Sequence, residues 1–259
     1  MIPVKKDLTI LRGKTFDLPI KWETDVFSYA AITGITNSAP CIVTAPSHGV
    51  PDGWRVALVS VKGMTQINAK NSPPKDSDYI VAKLLTSSTV ELNTVNSANY
   101  KPWTSGGYLQ FHAPQDLTNY AARMSIKDKI ASTTAKLWAA STVYAAGTTI
   151  ITSAGKLLVV STAGTSDVVE PSAAGLDGSV VWADNSTFVG SKELMYLTDV
   201  NLGILLDNTT KTIKLDIDAV TTAALAWTKG VYDLELVSPI GEVAALLYGS
   251  VTVIPEVTT

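Results

Sequence analysis

"GVYDLELVSPIGEVAALLYGSVTVI" occupies residues 230–254. Its first half alternates, with Tyr232, Leu234 and Leu236 on one side and Asp233 and Glu235 on the other. A period of two is the signature of a strand with one buried and one wet face. "SPIGE" then turns the chain through Pro239 and Gly241, and "VAALLYGSVTVI" returns as a longer strand. The stretch reads as a β-hairpin, and the rest of the chain can be tested against the same period.

Working outward, "TIKLDID" places Ile213, Leu215 and Ile217 on one face and Lys214, Asp216 and Asp218 on the other. Between it and the hairpin, "DAVTTAALAWTKG" is the best helical segment, one to two turns long, with Gly230 as its stop. At the other end, "DLTILRGKTFDLPIKWE" alternates through Leu8, Ile10, Phe16, Leu18 and Ile20 around Arg12-Gly13. From about residue 31 to 112 the texture changes. Short strands ("CIVT", "RVALVSV", "DYIVAKLL", "TVELN", "YLQFH") are separated by Gly, Pro, Asn and Ser clusters, which suggests a small barrel or sandwich. "DLTNYAARMSIKD" returns to the outer pattern through Ala122, Met124 and Ile126. A Gly/Ala/Ser/Thr-rich block then follows, whose large residues are Trp138, Tyr144 and Trp182.

Composition bounds the function. Hydrophobic residues make up 46% and charged residues 17% of the 259 positions, which argues against disorder. A net charge of −3 without any Lys/Arg run argues against nucleic acid as a partner. One cysteine and two histidines argue against a disulfide framework, a cysteine zinc cluster or a His-rich metal site. No run reaches about 18 apolar residues, so no spanning helix or membrane insertion is expected. "MIPVKKDLTI" does not read as a secretory signal, so synthesis in the cytoplasm is expected.

Three resemblances follow from quoted residues. Residues 32–112 carry Ser47-His48-Gly49, Asp52-Gly53, Gly63-Met64, Gln66-Ile67-Asn68, Tyr79-Ile80-Val81 and Ser105-Gly106-Gly107 in that order. This resembles the FCCH-like module, named from a half-domain of ubiquitin-activating enzymes and recurrent in bacteriophage virion proteins. Nothing of an adenylating enzyme accompanies it. The pieces "DLTILRGKTFDLPI", "DLTNYAARMSIKD" and the closing hairpin resemble a phage immunoglobulin-like domain of the baseplate-upper-protein type, with Lys14 departing from an acidic position. The block around Trp138, Tyr144, Gly147 and Trp182 is similar to small aromatic β modules of phage tail proteins, which resemble carbohydrate-binding modules.

These readings imply an all-β fold in three parts. Residues 1–31, 113–136 and 187–259 form a split immunoglobulin-like β-sandwich host. Residues 32–112 form a small β-barrel insertion, and 137–186 a second small β insertion. Insertion at loop tips is thermodynamically cheap. The implied protein is a non-enzymatic structural component of a tailed-phage virion, at the tail, baseplate or fibre attachment. It would work by contacts with other virion proteins and copies of itself. Capsid decoration or head–tail joining is the alternative, and binding of a host surface glycan is an alternative of another class.

The chemistry-bearing residues are each weighed against a structural role. His48 reads as a turn histidine bonded to backbone, since adjacent Ser47 points the other way in an extended segment. Cys41 sits in an apolar strand as an inert thiol. Asp216, Asp218, Asp233 and Glu235 read as a solvated sheet face in preference to an acid–base pair. Asp177 alone in "GLDGS" does not make a calcium loop. No catalytic, metal or cofactor residue is assigned. Trp138, Tyr144 and Trp182 are the candidates for carbohydrate contact, with packing in a small core as the competing role. Trp54 and Trp103 are the candidates for surface contact.

Overall fold

A computed structural model describes residues 3–256. The chain is almost wholly β, with one five-residue α-helix, Ala219–Ala223, among the described residues. The helix occupies only the start of the segment expected to form it: it ends at Ala223, and Gly230, read as its stop, lies inside the strand Lys229–Val237. Asp218 caps it by accepting the Thr221 amide at 2.7 Å. By internal contacts the chain divides into two units: residues 1–18, 119–206 and 214–259, and residues 19–118 and 207–213.

The first unit is organised by the closing hairpin. Lys229–Val237 and Val243–Ile254 pair antiparallel, with Leu234 opposite Leu247. On one side Ala121–Lys127 joins Lys229–Val237, with Met124 opposite Leu234, and Ser191–Thr198 follows. On the other side Leu8–Leu11 lies parallel to the last strand, with Leu8 opposite Val251 and Ile10 opposite Val253. The segments expected to make one split host thus share a sheet, although long interruptions separate them in sequence. Alternation sorts their side chains. Ile10, Met124, Ile126, Leu234, Leu236 and Val251 are buried, whereas Arg123, Ser125, Asp233 and Glu235 face outward. Burying a side chain of this size contributes roughly 1.5–3 kcal/mol.

The sheet does not stop at the expected edge of the second insertion. Thr134–Leu137 pairs parallel with Ser191–Thr198 and, at its other end, with Thr149–Ile151. The strands Leu157–Thr162, Val180–Asp184 and Gly175–Asp177 then continue it, giving eleven strands among the described residues. Residues 137–186 therefore belong to the same contact unit as the outer pieces, although they keep a small core of their own around Tyr144, Ile150, Leu158 and Trp182.

The second unit is built on a seven-stranded sheet in the order Glu23–Ala31, Tyr108–Pro114, Trp54–Val59, Ile80–Thr86, Thr89–Leu92, Cys41–Thr44, Gly34–Ile35. The five strands expected from sequence between 41 and 112 all form. Its core gathers Val43, Trp54, Val56, Met64, Leu92 and Leu109, all essentially inaccessible to solvent. The expected boundary after residue 31 differs from the contact division, which falls after residue 18. The reason is pairing: Glu23–Ala31 runs antiparallel to Tyr108–Pro114, with Ala30 opposite Leu109 and Phe27 opposite His112.

Gly63, in the Gly-Met of this unit, adopts φ +81°, and a Cβ there would run into the Pro102 carbonyl and the Thr104 amide. Only glycine fits the site. Finally, Phe16–Lys21, Ile204–Asp207 and Thr212–Ile217 form a three-stranded sheet. In the last of these strands Ile213, Leu215 and Ile217 are buried as the alternation requires.

Candidate functional site

The aromatic residues of 137–186 face inward. Trp182 is 2% and Tyr144 7% exposed, their rings meeting edge-on at a centroid separation of 5.1 Å. Trp138 is partly buried against the same cluster. Stacking on a sugar needs an open ring face, so Tyr144 and Trp182 are not a carbohydrate platform. The cluster is organised by Asp177, a buried residue that sequence reasoning set aside. Its Oδ2 accepts the indole N–H of Trp182 at 2.9 Å and of Trp138 at 3.2 Å, and its Oδ1 accepts the Asp167 amide at 2.8 Å. An indole is a donor only, and a carboxylate is the acceptor-only group that can serve two of them.

Of the two surface-contact tryptophans, Trp54 is enclosed and Trp103 is half-exposed. Trp54 is 1% exposed and donates its indole N–H to the His112 carbonyl at 2.7 Å. This corrects its assignment to the surface: the residue after the Asp52-Gly53 turn already points into the core. Trp103 is partly buried and donates to the Gly106 carbonyl at 3.0 Å.

His48 is buried and spans two backbone groups. Its Nδ1 accepts the Val50 amide at 2.9 Å, which assigns the proton to Nε2, 3.1 Å from the Thr86 carbonyl. With both ring nitrogens engaged by backbone, the imidazole clamps a turn. Cys41 is fully buried, and desolvation raises its thiol pKa, the opposite of a reactive cysteine. Asp218 is engaged as a helix cap. The Thr221 amide and then its hydroxyl hold its carboxyl below the ordinary value. Asp216 lies 3.4 Å from Lys214.

The outward face of the first unit carries a cleft of about 340 Å³ lined by Arg123, Ser125, Lys136, Tyr196, Asp233 and Glu235. Arg123 Nε donates to Glu235 at 2.7 Å, and this bond raises the guanidinium pKa. Beside it Glu193 is buried and takes three donors: Ser125 Oγ at 2.8 Å, Lys136 Nζ at 3.0 Å and the Leu137 amide at 3.2 Å. Here the carboxylates Glu193 and Glu235 are each paired with a cation. That arrangement fastens neighbouring strands together. Among the described residues no group of His, Cys, Asp and Glu could hold a metal ion.

The second unit presents a different surface. On the strand Glu23–Ala31, Val26 (65%), Phe27 (41%) and Tyr29 (58%) are exposed. Phe27 packs on His112 with centroids 4.4 Å apart, and Tyr29 meets Tyr108 edge-on at 6.4 Å. The Tyr79 ring lies 5.8 Å from that of His112 and under the Arg55 guanidinium, which grips Glu23 with bonds of 2.9 and 2.6 Å. A cleft of about 500 Å³ opens beside them, lined by Phe27, Tyr29, Val59, Pro73, Pro74 and Gln110. Val26, Phe27 and Tyr29 thus form an exposed apolar strip along an outer strand of the sheet. The readable signal was the Phe27, Tyr29 alternation in "VFSYAA", residues 26–31, which falls at the very end of the piece expected to belong to the host.

No helix among the described residues is long and apolar enough to cross a membrane. No known protein family matches the chain, and no curated protein matches it.

Proposed function

We propose that this chain is a structural component of a tailed-bacteriophage virion, placed at the tail, baseplate or fibre attachment and acting through protein–protein assembly. The observation that carries the reading is the shared sheet of the first unit. Leu8–Leu11, Ala121–Lys127 and the hairpin Lys229–Ile254 are the three segments that resemble a phage immunoglobulin-like domain, and they lie side by side in register. The paired carboxylates of the outward face and the aromatic strip of the second unit accord with a scaffold that makes contacts. The buried Tyr144 and Trp182 give the glycan alternative no support from those residues.

Mass spectrometry of purified particles tests the reading directly. The protein is expected in stoichiometric amount, and its absence from particles would overturn the proposal. Immunogold labelling of intact particles separates the two sites: label on the tail supports the primary placement, and label on the head transfers the protein to capsid decoration.

A further inference from the structure

We infer that Glu23–Ala31 is a self-pairing edge, on which a second copy of this chain docks by antiparallel addition of the same strand. The inference rests on the assembly reading above and names one partner surface for it.

The strand ends its sheet: Tyr108–Pro114 is its partner on one side, and no described strand lies on the other. The hydrogen-bond phase identifies which backbone groups are open. The Ile32 amide bonds to the Gly107 carbonyl at 2.9 Å, just beyond the Ala31–Tyr108 pair. Antiparallel ladders alternate bonded and non-bonded pairs, so Ala30 and Ser28 exchange bonds with Leu109 and Phe111. Phe27, Tyr29 and Ala31 then direct their N–H and C=O groups to the open edge. The side chains of Phe27 and Tyr29 are also exposed.

Edge strands are normally blunted by lysine, proline, a bulge or an inward charge. The register shift of this strand falls between Glu23 and Phe27, and "FSYAA" from Phe27 to Ala31 carries none of these. A two-fold axis at Ser28 brings the open groups of two copies into phase. Phe27 then faces Tyr29 of the second copy, and symmetry repeats the pair on the other side of the axis. Each such pair exchanges both backbone bonds, and aromatic cross-strand pairs are among the favourable ones. The charges suit this register. No charged residue lies between Phe27 and Ala31, Asp25 lies in the stretch where the register shifts, and Glu23 is already neutralised by Arg55. An isologous contact of this form closes on itself and gives a dimer.

The register places the two Ser28 residues in a non-bonded pair, where Cα atoms lie about 4.5 Å apart, within disulfide reach. The full chain carrying Ser28→Cys is expected to form a disulfide dimer under mild oxidation, while a control Ser87→Cys in an exposed turn stays monomeric. Cys41 is buried and does not compete. Sedimentation of the unmodified chain across micromolar to millimolar concentration should show the mass doubling. Tyr29→Lys should abolish the doubling while leaving the melting temperature of the monomer in place. A chain that stays monomeric throughout, with Ser28→Cys no more cross-linked than the control, would overturn the inference. A monomer that is nonetheless abundant in purified particles would overturn the edge pairing and leave the virion role standing. A dimer absent from particles would do the reverse.

Discussion

Asp177 Oδ2 sits 2.9 Å from the indole nitrogen of Trp182, five residues along the same hairpin, and this bond turns the tryptophan inward. The same oxygen holds Trp138, just past the strand Thr134–Leu137, so one carboxylate fixes both large indoles of a very small core. Replacing Asp177 with Ala leaves two indole N–H groups and the Asp167 amide without their acceptor. Each buried unsatisfied donor costs about 1–3 kcal/mol. Asp177→Ala is expected to lower stability by at least about 2 kcal/mol in chemical unfolding, with a red shift of tryptophan emission. Unchanged stability and emission would contradict this arrangement.

Trp182→Ala carries a related expectation. Truncating a fully packed tryptophan costs about 3–5 kcal/mol. The variant should lose cooperative unfolding of residues 137–186, measured by hydrogen exchange. A variant that kept its protection and lost binding on a glycan array would instead place the ring on the surface.

Tyr232 supplies a pH signature. Its hydroxyl donates to the Lys6 carbonyl at 2.7 Å, and burial, followed by the charge of Asp7, raises its pKa from 10.0 to about 12. The folded state therefore holds the phenolic proton more tightly than the unfolded chain does. The associated stability is fully present below pH 10 and is lost as pH rises from 10 to 12. Urea unfolding of the wild type should show a loss over that window. Tyr232→Phe should flatten the dependence and cost about 1 kcal/mol at neutral pH.

The two ion pairs of the outward face should separate by burial. Glu235 and Arg123 are both partly exposed, so Arg123→Ala is expected to cost under about 1 kcal/mol and to lose that effect in high salt. Glu193 is 4% exposed, and Lys136→Ala strips its only cation among the described ion pairs. A larger cost, on the order of 1–3 kcal/mol, is expected there, and it should persist in salt. Equal costs in thermal unfolding would show that Glu193 is better solvated than the structure indicates.

Gly63→Ala tests the turn of the second unit. With φ +81° and backbone where the methyl would go, a cost of at least about 2 kcal/mol is expected from urea titration. A neutral effect would mean that Pro102 and Thr104 move aside freely.

What the sequence revealed depended on whether a residue's role was local. Ile213, Leu215 and Ile217 alternate cleanly, because that strand has one buried and one wet face. Glu23–Ala31 alternates only from Phe27 onward, because its first half is exposed or half-exposed throughout, and its membership in the second sheet was missed. His48 was legible as a backbone-bonded turn residue, since Val50 is two positions away. The double acceptance by Asp177 was not, since Trp138 lies thirty-nine residues upstream. Trp54 was misplaced because the Pro-Asp-Gly turn beside it suggested exposure, whereas its own position begins an inward-facing strand.

Leu8–Leu11 lies along Val243–Ile254, so residues 8–11 wait for residues 251–254 before their amides find acceptors. Closing so long a loop is slow. The sheet of Cys41–Thr44 through Tyr108–Pro114 uses only nearer partners and can be complete while the opening strand is still unmatched. Maturation of the first unit is thereby timed by the synthesis of residues 243–254. A nascent chain halted before them would display one finished lobe and one exposed seam.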